Sequence, residues 1–166
     1  MAPAQASLLA KLNTQERVRD FLTNAVASGR ASHAYLFLGA PGAGKLDAAW
    51  ALAQAFLCEQ DGCGSCDSCV RVARHTHPDV HYYTPESATG YLIAQTRELL
   101  DDVPLAPIRA KAKVYIIDRA EQLRANTANA LLKTLEEPPE GVMFILLGTS
   151  ADVMSVSYTH LTLPTT

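Results

Sequence analysis

Tyr35-Leu36-Phe37-Leu38 runs straight into Gly39-Ala40-Pro41-Gly42-Ala43-Gly44-Lys45, and the junction of these two stretches decides the fold. The first four residues are apolar without alternation, the pattern of a strand buried on both faces of a parallel sheet. The next seven fit G-x-x-x-x-G-K. Small residues let backbone N–H groups wrap a phosphate. The helix that follows turns its positive end toward it, and the lysine reaches the terminal phosphates. That helix is predicted over 45–57, with Trp50, Ala53, Phe56 and Leu57 inward. A tight strand-to-helix turn with a surface lysine is the plainer alternative. The full spacing in a strand–loop–helix context favours the phosphate loop.

Working outward, a helix is predicted over about 14–28, with Val18, Phe21, Leu22, Ala25 and Val26 as its apolar stripe. Asn13 is its expected N-cap, Glu16 completes a capping box, and Gly29 suits the residue after its end. Downstream, strands are predicted at 80–83, 114–117 and 143–147. Helices are predicted at about 91–103, using Leu92, Ile93, Leu99 and Leu100, and at about 126–137, stopped by Pro138-Pro139. Strands alternating with helices give an α/β fold of three layers around a parallel sheet.

A phosphate site of this kind needs an acidic half at a neighbouring strand end. Asp118 stands there, where a magnesium-side aspartate belongs. The following position, where a glutamate would activate water, is Arg119, and Glu121 is out of step with that role. Leu46 follows the loop lysine where Ser or Thr would offer magnesium a hydroxyl. Both departures point to a site that binds nucleotide weakly or not at all and does not hydrolyse it.

The cysteines cluster as Cys58-x4-Cys63-x2-Cys66-x2-Cys69. Four thiolates so close can close a tetrahedral zinc site, structural because no position is left open. A C-x-x-C redox pair and an iron–sulfur cluster are the competing readings. Overlapping C-x-x-C spacings favour a closed metal site. His75 and His77 follow closely and are read as surface histidines.

The chain has 166 residues, 48% hydrophobic and 19% charged, enough for one domain with a real core. Its formal net charge of -3, from 17 Asp+Glu against 14 Lys+Arg, argues against a stand-alone nucleic-acid binder. No apolar run approaches the ~20 residues of a membrane span, and no secretion signal opens the chain. A cytoplasmic location without membrane contact is expected.

Four segments together carry a family resemblance: Ser32-His33-Ala34-Tyr35-Leu36-Phe37 into the phosphate loop, the cysteine module after the loop helix, Lys113-Val114-Tyr115-Ile116-Ile117-Asp118, and Ala128-Asn129-Ala130-Leu131-Leu132-Lys133-Thr134-Leu135-Glu136-Glu137-Pro138-Pro139. Over about 12–154 the chain resembles the AAA+ P-loop NTPase domain of bacterial DNA polymerase III clamp-loader subunits, with the zinc module as an insertion. The resemblance implies a nucleotide site built from Gly39, Gly42, Gly44, Lys45, Asp118 and, as phosphate sensor, Thr149. It implies a zinc ion on Cys58, Cys63, Cys66 and Cys69. Its partners would be the gamma/tau and delta subunits and, through the assembly, the sliding clamp and primed DNA. Gamma/tau subunits look like working ATPases; delta-prime is similar but typically lacks a working site and serves as a rigid stator. Leu46 and Arg119 place this chain on the delta-prime side, with any ATP or ADP binding weak or lost.

The resemblance also implies parts that this sequence does not contain. These are a Ser-Arg-Cys motif whose arginine enters a neighbour's ATP site, a fifth strand beside 35–38, a small helical lid and a helical collar. The domain is therefore expected over 1–154. Residues 155–166, without charge or helical stripe, look like foreign read-through. No polymerase acidic pair is present.

Overall fold

The structure, a computed structural model, describes residues 7–12, 16–40 and 42–149. Its elements, in chain order, are α1 (Glu16–Ala27), β1 (Ala34–Leu38), α2 (Lys45–Leu57), α3 (Asp67–Ala73), β2 (Val80–Tyr83), α4 (Ile93–Asp102), β3 (Lys113–Ile117), α5 (Ala125–Glu136) and β4 (Val142–Gly148). Single 3-10 turns lie at Leu9–Lys11 and Ala120–Gln122.

The four strands form one parallel sheet in the order β1-β4-β3-β2. Side chains alternate across it, so each register row belongs to one face. Tyr35, Ile145 and Ile116 share a row and meet α1 and α2 through Leu22, Val26, Leu52 and Ala53. The next row, Leu36, Leu146, Ile117 and Tyr83, meets α4 and α5 through Leu99, Leu131 and Leu135. Both faces are covered over β1, β3 and β4, which is why these three read as apolar runs, whereas β2 at the sheet edge is only half-buried. The expected three layers are present. β1 ends the sheet, and among the described residues no strand pairs with its outer edge.

Helix α2 is buried nearly all round, from Ala48 to Ala55 and again at Leu57. It lies between the sheet, α1 and the segment around Leu9. Its one buried polar side chain, Gln54, joins three segments: its amide nitrogen donates to the Cys69 carbonyl and its oxygen accepts the Leu8 N–H.

Several expectations need correction. The first helix buries Leu22 and Val26, whereas Phe21 is 46% exposed. Asn13 lies outside the described residues. In α4, Leu92 and Ile93 point outward and the buried residues are Gln95, Thr96 and Leu99. Gln95 is drawn in because its side chain accepts the N–H groups of Leu92 and Glu86 and donates to the Thr84 carbonyl. Helix α3 is not predicted at all.

His77, read as a surface residue, is buried. Its Nδ1 accepts the Asp79 N–H at 3.0 Å, and burial holds its pKa down. Asp79 is fully buried and accepts three backbone N–H groups, from Ile108 at 2.6 Å and from Arg109 and Ala110 at 2.7 Å each. That carboxylate fixes the chain just before β3. His75 is exposed as expected, and its ring stacks on Trp50 with centroids 3.9 Å apart.

Candidate functional site

All four strands end on the same side, and in open parallel sheets that rim is where ligands bind. β1 delivers Gly39 beside Gly148, whose carbonyl accepts the Gly39 N–H. The loop then turns through Gly42 and Gly44 at φ +83° and +89°, and Gly44 is the N-cap of α2. A side chain at either glycine would strain the backbone, and the left-handed turn at Gly44 starts α2 at Lys45. The Lys45 ammonium donates to the Gly39 carbonyl at 2.7 Å and the Gly148 carbonyl at 3.1 Å, so the lysine lies back across the loop and the end of β4.

Around it is a cavity of about 500 Å³ lined by Gly42, Gly44, Lys45, Asp118 and Thr149. The structure thus brings together five residues singled out in the sequence, and the sixth, Gly39, holds the lysine. Leu46, Arg119 and Glu121 line the same cavity.

The acidic half differs from its sequence reading in two ways. Asp118 is already engaged on both oxygens. Oδ1 accepts the Arg119 N–H at 2.9 Å, and Oδ2 accepts the Tyr82 hydroxyl at 2.9 Å. Burial, followed by Asp118 itself, raises the Tyr82 pKa, so this hydroxyl stays a donor. Together with Leu46, which carries no oxygen, this arrangement does not fit a magnesium ion.

The second difference is Glu121. Arg119 takes a left-handed backbone, φ +48° and ψ +55°, an uncommon conformation for a side chain of this size. The chain then enters the 3-10 turn that carries Glu121 into the cavity wall. There its Oε2 is shielded from solvent, with no hydrogen-bond partner among the described residues. It would stand 3.3 Å from a Cβ placed on Gly148. Sequence spacing put Glu121 out of step; the turn at Arg119 brings it into the site. Tyr91 was also missed. Its buried hydroxyl sits between the carbonyls of Tyr83 and Asp118 and ties the ends of β2 and β3.

The cysteines converge at the far end of α2. Cys58 caps its C-terminus, Cys63 lies in the turn that follows, Cys66 is the N-cap of α3, and Cys69 is buried within α3. The Cys66 sulfur accepts the Cys69 N–H, and the Cys58 sulfur accepts those of Gln60 and Cys63. None is in a disulfide, and all four sulfurs lie within 4.8 Å of one another.

Such a cluster leaves room for one ion at its centre and none for a multi-iron cluster. The thiols are unequal. The N–H and hydroxyl of Ser65, then the Cys66 N–H, bring Cys63 down to about 6. Burial pushes Cys69 well up. Four thiolates in this space need a cation among them, so the donor set fits a metal.

With the geometry in place, comparison with known proteins decides the family. The sequence model for "DNA polymerase III, delta subunit" matches residues 14–156. The chain belongs to this family. Two curated relatives are similar to equal degree. The DNA polymerase III subunit delta' of Bacillus subtilis is 42% identical over 136 residues, 80% of this chain and 41% of its own length. The DNA polymerase III subunit tau of Escherichia coli is 42% identical over 147 residues, 86% of this chain and 23% of its own. The chain therefore spans less than half the length of either.

Among solved structures, a gamma-subunit-related protein of Thermotoga maritima matches with TM-score 0.59 and 18% identity, over 87% of this chain and 43% of its own. The P-loop NTPase domain of an E. coli sigma-54 activator matches with TM-score 0.51 and 12% identity, over 92% of this chain and 96% of its own. Both establish the P-loop α/β fold. Among the described residues no helix is long and apolar enough to cross a membrane.

Proposed function

We propose that this chain is the P-loop domain of a clamp-loader subunit of the delta-prime kind, a stator that does not hydrolyse ATP. Equal identity to a delta' and a tau relative leaves the choice to the site itself. The observation that carries it is the state of Asp118, whose two oxygens accept Tyr82 and Arg119 in place of a metal. Leu46 and Arg119 act in the same direction by removing the magnesium hydroxyl and the water-activating carboxylate.

The domain occupies 1–154, with 155–166 a foreign tail; the lid, collar and Ser-Arg-Cys arginine belong to the natural full-length protein. There the subunit joins gamma/tau and delta subunits in the cytoplasm and helps them load a sliding clamp on primed DNA. Its catalytic contribution is the arginine given to a neighbour.

The ion on Cys58, Cys63, Cys66 and Cys69 is zinc, in a structural role. Sulfurs about 2.3 Å from a zinc stand about 3.8 Å apart at the corners of a tetrahedron. Two of the pairs here stand at 3.8 Å, Cys58 to Cys66, and 4.0 Å, Cys63 to Cys69, and all four sulfurs lie within 4.8 Å of one another.

A gamma/tau-type ATPase is the second reading, favoured by the intact loop and Lys45. ATP turnover by the full-length natural protein with magnesium separates the two. No turnover supports the stator; turnover lost on Lys45→Ala would make the chain a motor subunit.

A further inference from the structure

We propose that Glu121 makes the P-loop cavity selective for a nucleoside diphosphate, bound without magnesium, over the corresponding triphosphate. The inference rests on the non-hydrolysing reading above and gives its site a ligand preference.

A phosphate chain laid along such a loop puts its first phosphates on the loop N–H groups and its last beside the lysine. Here the lysine ammonium lies on the Gly148 carbonyl, so the far end of the chain belongs at Gly148. The Glu121 carboxylate stands at that same residue, with an oxygen that no described residue pairs. A third phosphate arriving there meets an anion at close range, in a recess that shields it little. Most P-loop sites offset the charge of the third phosphate with magnesium. Leu46 offers that ion no oxygen, and Asp118 is held by Tyr82 and Arg119. A diphosphate ends before Glu121 and keeps the loop, the helix end and Lys45. The cavity, about 500 Å³, has the room for it.

The test measures dissociation constants for ADP and ATP, each with and without magnesium, on the full-length natural protein and on Glu121→Gln and Glu121→Asp. Calorimetry gives all of them without relying on activity, and thermal melting checks that the variants fold. The unaltered protein is expected to bind ADP at least about tenfold more tightly than ATP, as one uncompensated charge at short range implies, and magnesium changes neither value. Glu121→Gln should tighten ATP until the two agree within about twofold, with ADP unchanged, and Glu121→Asp should retain the preference.

Equal affinities in the unaltered protein, a preference that survives Glu121→Gln, tightening of ATP by magnesium, or no binding of either nucleotide at millimolar concentration would each overturn the inference. Absence of turnover combined with equal affinities defeats this inference and leaves the stator reading standing. Turnover is read in a separate assay and bears on the stator first.

Discussion

Tyr82 and Asp118 meet because β2 and β3 are in parallel register, Tyr82 opposite Ile116 and Tyr83 opposite Ile117. No spacing in the sequence announces that contact, since it depends on which strands are neighbours. The loop glycines, Lys45 and Asp118 were legible because local chemistry fixes them; Tyr82 and Glu121 were not, one set by sheet order and the other by the left-handed turn at Arg119. Restoring Leu46→Thr and Arg119→Glu in the full-length protein is therefore expected to leave the metal side incomplete. Adding Tyr82→Phe should free one Asp118 oxygen and give a magnesium-dependent gain in ATP affinity of several-fold, read by calorimetry. The same affinity with and without Tyr82→Phe would show that the tyrosine does not hold the aspartate back.

Asp79 and His77 set the acid limit of stability. Burial alone would raise the Asp79 pKa, but three backbone N–H groups and His77 outweigh it and hold it low. Its contribution is present above the unfolded value near 3.8 and is lost as pH falls through the lower folded value. His77, buried with its pKa below 6.5, adds a loss that begins earlier, as pH drops beneath 6.5. Stability should therefore decline in two stages on acidification. Asp79→Asn should remove the lower stage and cost roughly 2–4 kcal/mol near neutral pH, measured by denaturant titration.

Among the elements, strands were the most readable, because burial on both faces leaves a plain apolar run. Helix α3 was hidden. Its N-cap is a thiol, and its seven residues carry only two buried side chains, Cys69 and Val72. The α4 face was misread because Gln95, a polar residue, is buried by its bonds to the loop before it. The cysteine module is held to α2 by Gln54, whose amide donates to the Cys69 carbonyl. Stripping the metal with a chelator should lower the melting temperature by several degrees, with α3 and the end of α2 losing protection from hydrogen exchange before the sheet does. Metal analysis should return one ion per chain. Gln54→Ala should destabilise by about 2–3 kcal/mol, because the Cys69 carbonyl and the Leu8 N–H lose their buried partner together.

At the scale of the molecule, the sheet ends in β1 on one side and β2 on the other, and among the described residues no strand pairs with either outer edge. The outer edge of β1 presents an apolar strand, Ala34 to Leu38, without a partner among the described residues. Such an edge is a template for other chains. The 166-residue chain is expected to self-associate in solution, as light scattering would detect. A monodisperse, cooperatively melting chain would show that the edge is protected. The stack of His75 on Trp50 reaches further than packing. Trp50 is the single tryptophan of the chain, and its ring lies 6.1 Å from that of Tyr82, whose hydroxyl holds Asp118. The protein thus carries its own optical probe. Emission from one indole, with an imidazole stacked on it, will register any ligand that pulls Tyr82 away from the cavity, with no label attached.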